Sequence, residues 1–247
     1  SGGMPIAGIT DDYDGDVRSL TTPDIGADEF DGIPVDLSAP VIAYVPFDNT
    51  ASTTPRVLEA TITDASGVPT SGIGLPVLYW NVNGGAYTAV TAAWVSGNDY
   101  TFTFGGGVTT GDVVGYYVVA QDQAVPANIG SNPSGGASGY TANPPAVSTP
   151  PVPPNTYTIV QGLGGLVTVG TGGTYPSLTG VGGLFADING KVVTSNITAH
   201  VLSNLTETGL NALNQWAEDG AGNYTVTIKP GPSVNPLISG DFNGGLI

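Results

Sequence analysis

The sequence predicts an all-β protein organised around an antiparallel sandwich. Its 247 residues include 38 Gly and 20 Pro, which punctuate turns, while Thr and Val recur and suit pleated, half-buried surfaces. Between residues 37 and 125 about seven short runs alternate apolar and polar side chains, at the spacing of an antiparallel sandwich. With 40% hydrophobic residues the chain is too apolar to be wholly disordered.

The elements follow in order. Residues 1–36 are acidic and Gly-rich. Leu37 to Val45 (LSAPVIAYV) reads as a first strand entered through Ser-Ala-Pro. In Arg56 to Thr63 (RVLEATIT), Val57, Glu59, Thr61 and Thr63 fall on one face and Leu58, Ala60 and Ile62 on the other. Asp64 to Gly67 is a turn. Val77 to Val82 (VLYWNV) is a strand, and Asn83-Gly84-Gly85 closes a hairpin into Ala86 to Val90. Trp94 to Phe104 contains YTFTF, and Gly111-Asp112 turns into Val113 to Gln121. Periodicity then disappears. Residues 126–156 are rich in Pro, Gly and Ser, which predicts a semi-rigid, polyproline-like spacer.

Residues 157–247 resume with short apolar runs. Ser177 to Asp187 predicts a short helix weakened by its glycines. Ile197 to Leu202 and Tyr224 to Lys229 read as strands. Leu210, Leu213 and Trp216 fall at helical intervals behind Thr206, a plausible cap, so 206–216 predicts a second short helix. Leu237-Ile238 and Leu246-Ile247, separated by a Gly/Asn-rich turn, have the look of successive β-helix faces.

Three blocks resemble large secreted and cell-surface proteins of the Bacteroidetes kind. PIAGITDDYDGDVRS followed by PDIGADEF is similar to the last coil of their right-handed parallel β-helices. TTGDVVGYYVVAQD is similar to the closing strands of their immunoglobulin- or fibronectin-like modules. Residues 170–247, with GTGGTYPSLTGVGGLFADING, SNITAHVLSNLTETG and GNYTVTIKP, resemble the opening coils of another β-helix. The resemblance implies a terminal coil over 1–36, a sandwich over 37–125, the spacer over 126–156 and initial coils over 157–247. It also implies secretion or surface display, with a structural or adhesive role. Copies of the chain are the expected partner, each stacking head to tail on the next in a self-assembling surface fibre. The alternative is a carbohydrate-binding module of a larger secreted protein, with surface glycans as ligand.

Composition narrows the function further. Four basic residues against twenty acidic ones give a net charge of −16, a surface that repels phosphate backbones and anionic lipid. Nucleic acid and membrane insertion are therefore not expected, and no run approaches the ~20 apolar residues of a spanning helix. The absence of cysteine excludes disulfides, thiol catalysis and thiolate metal sites. The opening SGGMPIAGIT carries no basic-then-apolar leader and reads as internal, so a mature segment or an excised piece of something longer is expected.

Candidate site residues are few. Asp11, Asp12, Asp14 and Asp16 offer several hard oxygens, which suits Ca²⁺. The Asp-x-Asp-x-Asp spacing starts like an EF-hand loop, but Val17 and Pro23 stand where that loop needs Gly and Glu. A solvated turn in which aspartates accept nearby amides is the other reading. Arg18 is expected to pair with Asp24, Asp28 or Glu29 as a structural pin. His200 is the single histidine, there is no G-x-S-x-G elbow, and Glu59, Glu207 and Glu218 form no obvious pair. The glycines of 162–173 lack the Gly-Lys-Ser/Thr of a phosphate loop. Asn196, Asn204 and Asn223 lie in N-x-T sequences that read as turn and strand positions. Tyr79, Trp80, Tyr87, Trp94, Tyr100, Tyr116 and Tyr117 are expected mostly in the sandwich core. No reaction is expected of this chain.

Overall fold

The computed structural model describes residues 3–25, 35–220 and 222–240. The chain divides into two units, Ser1–Leu37 and Ser38–Ile247.

The described part of the first unit is held by turns. Asp11 and Val17 form an antiparallel bridge, and Asp12 N–H donates to the Asp16 carbonyl at 2.9 Å. Gly3 N–H reaches the Pro23 carbonyl at 2.7 Å, drawing the two ends of this segment together. Among the described residues of 1–36 no parallel strand forms.

The second unit opens with seven strands, all but β5 among the runs named from alternation: β1 (Val41–Ala43), β2 (Arg56–Thr63), β3 (Val77–Val82), β4 (Thr88–Thr91), β5 (Ala93–Ser96), β6 (Asp99–Phe104) and β7 (Val113–Gln121). They form two antiparallel sheets, β1-β2-β6-β5 and one that contains β7-β3-β4. Leu58, Ala60 and Ile62 of β2 point inward, as their spacing requires. They meet Phe102 and Phe104 from their own sheet, and Leu78, Val114, Tyr116 and Val118 from the other, in one sandwich core.

Residues 126–156 are not a free spacer. They carry β8 (Ile129–Asn132), β9 (Ser138–Thr141), β10 (Ala146–Thr149) and the start of β11 (Asn155–Thr158). β11 and β8 share the far edge of β7, pairing with Val113–Tyr116 and with Val118–Gln121 respectively. β9 and β10 make a hairpin that reaches β7 and β3. Tyr79 Oη donates to the Pro145 carbonyl at 3.1 Å, and the Gln121 side-chain amide exchanges two bonds with Asn143. This is why β7 is buried on both faces. Proline removes backbone donors but leaves carbonyls, and the neighbouring Asn, Ser and Tyr side chains supply the missing bonds.

A parallel layer follows: β12 (Gly162–Val169), α1 (Leu184–Gly190), β13 (Val192–Val201), β14 (Leu205–Glu207), β15 (Ala217–Glu218), β16 (Val226–Pro230) and β17 (Ile238–Gly240). Val167, Ala199 and Ile228 stack in one column across β12, β13 and β16, so successive rungs lie 32 and 29 residues apart. Leu205 and Ile238 repeat the relation across β14 and β17. Inward Val167, Val169, Ile197, Ala199 and Val201 pack against Leu184, Phe185 and Ile188 of the helix.

The helix starts later than predicted. Gly182 adopts φ +66° and Gly183 caps the helix, where an added Cβ would meet the Leu178 and Gly180 carbonyls at 2.7 and 2.9 Å. The second predicted helix, 206–216, does not form. Glu207 is drawn inward, Gly209 takes φ +66°, and Asn211 bonds to the Thr179 carbonyl. Leu213 and Trp216, whose spacing suggested the helix, half-bury against the parallel core from irregular backbone.

Asp219 ties the loop before β2 to the parallel layer. Its Oδ2 accepts from Thr50 Oγ1 at 2.6 Å and from Ala51 N–H at 2.9 Å. Burial pushes this carboxyl up. The Thr50 hydroxyl, the Ala51 and Gly220 amides and the charge of Arg56 outweigh that, and the group sits below the ordinary aspartate value of 3.8. A depressed carboxylate stabilises the fold above its unfolded pKa and loses that contribution as pH falls through the folded one, so acid loosens this joint below about pH 3.8. Asp219→Ala is expected to cost ~1–2 kcal/mol at neutral pH and to flatten the acid limb of the thermal-melting profile. An unchanged acid limb would refute the assignment.

Candidate functional site

The acidic loop of the first unit brings three of its four predicted ligands together. Carboxylate oxygens of Asp12, Asp14 and Asp16 lie within 4.8 Å of one another, and Asp11 does not join them. The loop is shaped by its own bonds: Asp12 Oδ1 accepts the N–H of Gly15 at 2.9 Å and of Asp16 at 2.7 Å. That is the turn expected of aspartates before a glycine, and Gly15 takes φ +96° to close it. The three carboxylates are the residues that could ligate a hard cation such as Ca²⁺ here. Arg18 Nη2 donates to the backbone carbonyl of Asp24 at 2.7 Å. Asp28 and Glu29 lie outside the described residues.

The catalytic candidates are dispersed. His200 is half-buried on β13, with Thr168 and Lys229 as its register neighbours. Glu59 is exposed on β2 opposite Thr101. Glu218 accepts from Trp216 Nε1 at 2.9 Å and from the amides of Asn223 and Tyr224 at 2.5 and 3.0 Å. Glu207, by contrast, is 2% exposed and accepts from the amides of Leu178 and Thr179 and from the Thr179 hydroxyl. All of Glu207's contacts serve the fold.

Sequence reasoning passed over one close acidic pair. Asp64 and Asp122 bring carboxylate oxygens within 4.8 Å of each other. Asp122 is 1% exposed, and its oxygens take the amides of Ala124 and Asn128 and the Asn128 side chain, at 2.6–3.2 Å. A carboxylate so enclosed fixes the turn after β7.

The aromatic residues pack as expected. Tyr100, Tyr116 and Tyr117 are buried; Tyr79 stacks on Tyr117 at 5.3 Å, with Tyr87 edge-on at 5.0 Å. Trp94 is the half-exposed member, on edge strand β5, with its indole N–H bonded to the Gly97 carbonyl. Two N-x-T asparagines serve the rungs: Asn196 Oδ1 accepts from Thr225 N–H at 2.9 Å, and Asn204 Oδ1 from Leu237 N–H at 2.8 Å.

What remains is a surface. Among the described residues β16 pairs only with β13. Half-buried Trp216, Tyr224, Val226, Ile228 and Ile238 pack against the parallel core. The chain matches no protein-family model and no curated protein.

Proposed function

We propose that this chain is an extracellular structural or adhesive protein whose copies assemble head to tail into a surface fibre. In this reading β1–β7 form an immunoglobulin-like sandwich, and β12–β17 are the opening coils of a right-handed parallel β-helix. The parallel ladder of β12, β13 and β16 carries the proposal, because a stack of this kind can grow by adding strands. A strand edge over half-covered apolar side chains favours pairing with another chain. A heterologous contact that does not close on itself yields a filament. The net charge of −16 keeps such a surface soluble in salt. Glycan recognition has less support, since Tyr79 and Tyr117 are stacked beneath the β9–β10 hairpin and leave no flat aromatic platform there.

Sedimentation velocity and electron microscopy over a concentration series test the proposal. Species that grow with concentration into linear particles are the expected result. A folded, monodisperse monomer at the highest concentration would sink it.

A further inference from the structure

The turn between β3 and β4 carries a reactive pair that the fold holds still. We propose that Asn83-Gly84 is a latent deamidation site, guarded by Asp112 and Val113, and that its reaction unfastens the β3–β4 turn from the turn before β7.

Two Asn-Gly pairs lie among the described residues, Asn83-Gly84 and Asn189-Gly190. Asn-Gly is open to this chemistry because glycine puts no side chain beside its own amide nitrogen. That nitrogen attacks Asn83 Cγ. The Cγ–Nδ2 bond breaks, ammonia leaves with the amide proton, and a five-membered succinimide closes. Water then opens the ring at either carbonyl and leaves an aspartate or an isoaspartate at position 83. Nothing is oxidised or reduced.

The turn gives the reaction room. Gly85 N–H closes it on the Val82 carbonyl at 3.0 Å, with φ +53° at Asn83 and +70° at Gly84. Asn83 is exposed, and a Cβ added to Gly84 would meet nothing within 4 Å, so no described neighbour crowds the attacking amide.

The side chain, by contrast, is clamped. Asn83 Nδ2 donates to Asp112 Oδ1 at 2.7 Å, and Asn83 Oδ1 accepts the Val113 N–H at 2.9 Å. The Asn83 N–H donates to the Val113 carbonyl at 2.8 Å. Asp112 is itself fixed, because its Oδ2 accepts the Thr109 N–H at 2.8 Å and the Thr109 hydroxyl at 3.0 Å. With both polar ends of the amide bonded to residues 112 and 113, Cγ is restrained from swinging toward the Gly84 nitrogen. The same contacts decide what the product does. Deamidation replaces the donor Nδ2 with a carboxylate oxygen facing Asp112, whose own carboxyl the Thr109 amide and the Asn83 side chain hold below its ordinary value. Two ionised carboxylates then stand where a hydrogen bond was, and the two turns part.

Full-length wild type and Asp112→Ala, incubated in mildly alkaline buffer, test the guard. Peptide mass spectrometry follows the amide-to-acid mass change at both Asn-Gly pairs. Asn189 is the internal reference, since its side chain bonds instead to the Ala212 carbonyl and the Asn214 amide. Asp112→Ala should speed the reaction at Asn83 about fivefold, as the loss of one hydrogen bond allows, and leave Asn189 unchanged. Equal rates at Asn83 in both chains, or a parallel rise at both pairs, would overturn the guard. Asn83→Asp stands for the product and should lower the melting temperature. Adding Asp112→Asn sets one amide against one carboxylate again, so the double variant should recover most of that loss. A double variant no more stable than Asn83→Asp alone would overturn the proposed repulsion.

Discussion

Tyr116→Ala is expected to destabilise the sandwich by ~4 kcal/mol, the largest effect of any single truncation in that core. Tyr116 is fully buried at the meeting point of five rings. Phe104 lies 5.2 Å from it, and Phe47, Tyr44 and Tyr157 lie 6.0 to 6.2 Å away. Removing the ring leaves a cavity bordered by other rigid aromatics, which cannot collapse into it. The hydroxyl has a separate task, accepting the Phe47 amide at 2.8 Å. Tyr116→Phe keeps the ring and loses that acceptor, so it should cost only ~1 kcal/mol. Urea unfolding of both variants, followed by near-ultraviolet circular dichroism, separates packing from hydrogen bonding. A Tyr116→Ala loss below about 1 kcal/mol would mean this cluster is not the centre of the sandwich.

Glu207→Ala should be nearly as severe, but in the parallel layer. Glu207 receives the amides of Leu178 and Thr179 at 2.8 and 2.7 Å and the Thr179 hydroxyl at 2.5 Å. The same hydroxyl accepts Gly209 N–H, and Asn211 closes the network on the Thr179 and Gly180 carbonyls. Alanine would strand the two buried N–H groups of Leu178 and Thr179, at ~1–3 kcal/mol each. Glu207→Gln retains an acceptor oxygen but turns an NH₂ toward donors, so an intermediate loss is expected. Hydrogen exchange gives the local readout: the Leu178 and Thr179 amides should lose protection before the sandwich does. Unchanged exchange at both would remove Glu207 from this role.

Much of the architecture was legible in the chain. The alternation in RVLEATIT names the buried face of β2, because a strand's side chains point to opposite sides in turn. The Asp12–Gly15 turn was legible for a similar reason, as its hydrogen bonds span only three and four residues. Misreadings arose where a distant segment competed with local preference. The Leu210, Leu213 and Trp216 spacing fits a helix, yet Glu207 and Asn211 bind the loop of residues 178–180 and hold the backbone open. The prolines of 126–156 suit a spacer, yet the edge of β7 offered ladder positions that β8 and β11 fill.

By itself, then, the sequence determined that the chain is all-β, where the sandwich strands lie, which of their faces are apolar and how the acidic turn closes. These properties depend on spacings of two to four residues. The tertiary structure alone decided that β7 is covered on both faces and that Glu207 is an internal anchor. Burial, pairing and exposure belong to residues brought together from 20 to 170 positions apart, as Thr50 is with Asp219. No local periodicity encodes which distant partner will cover a given face.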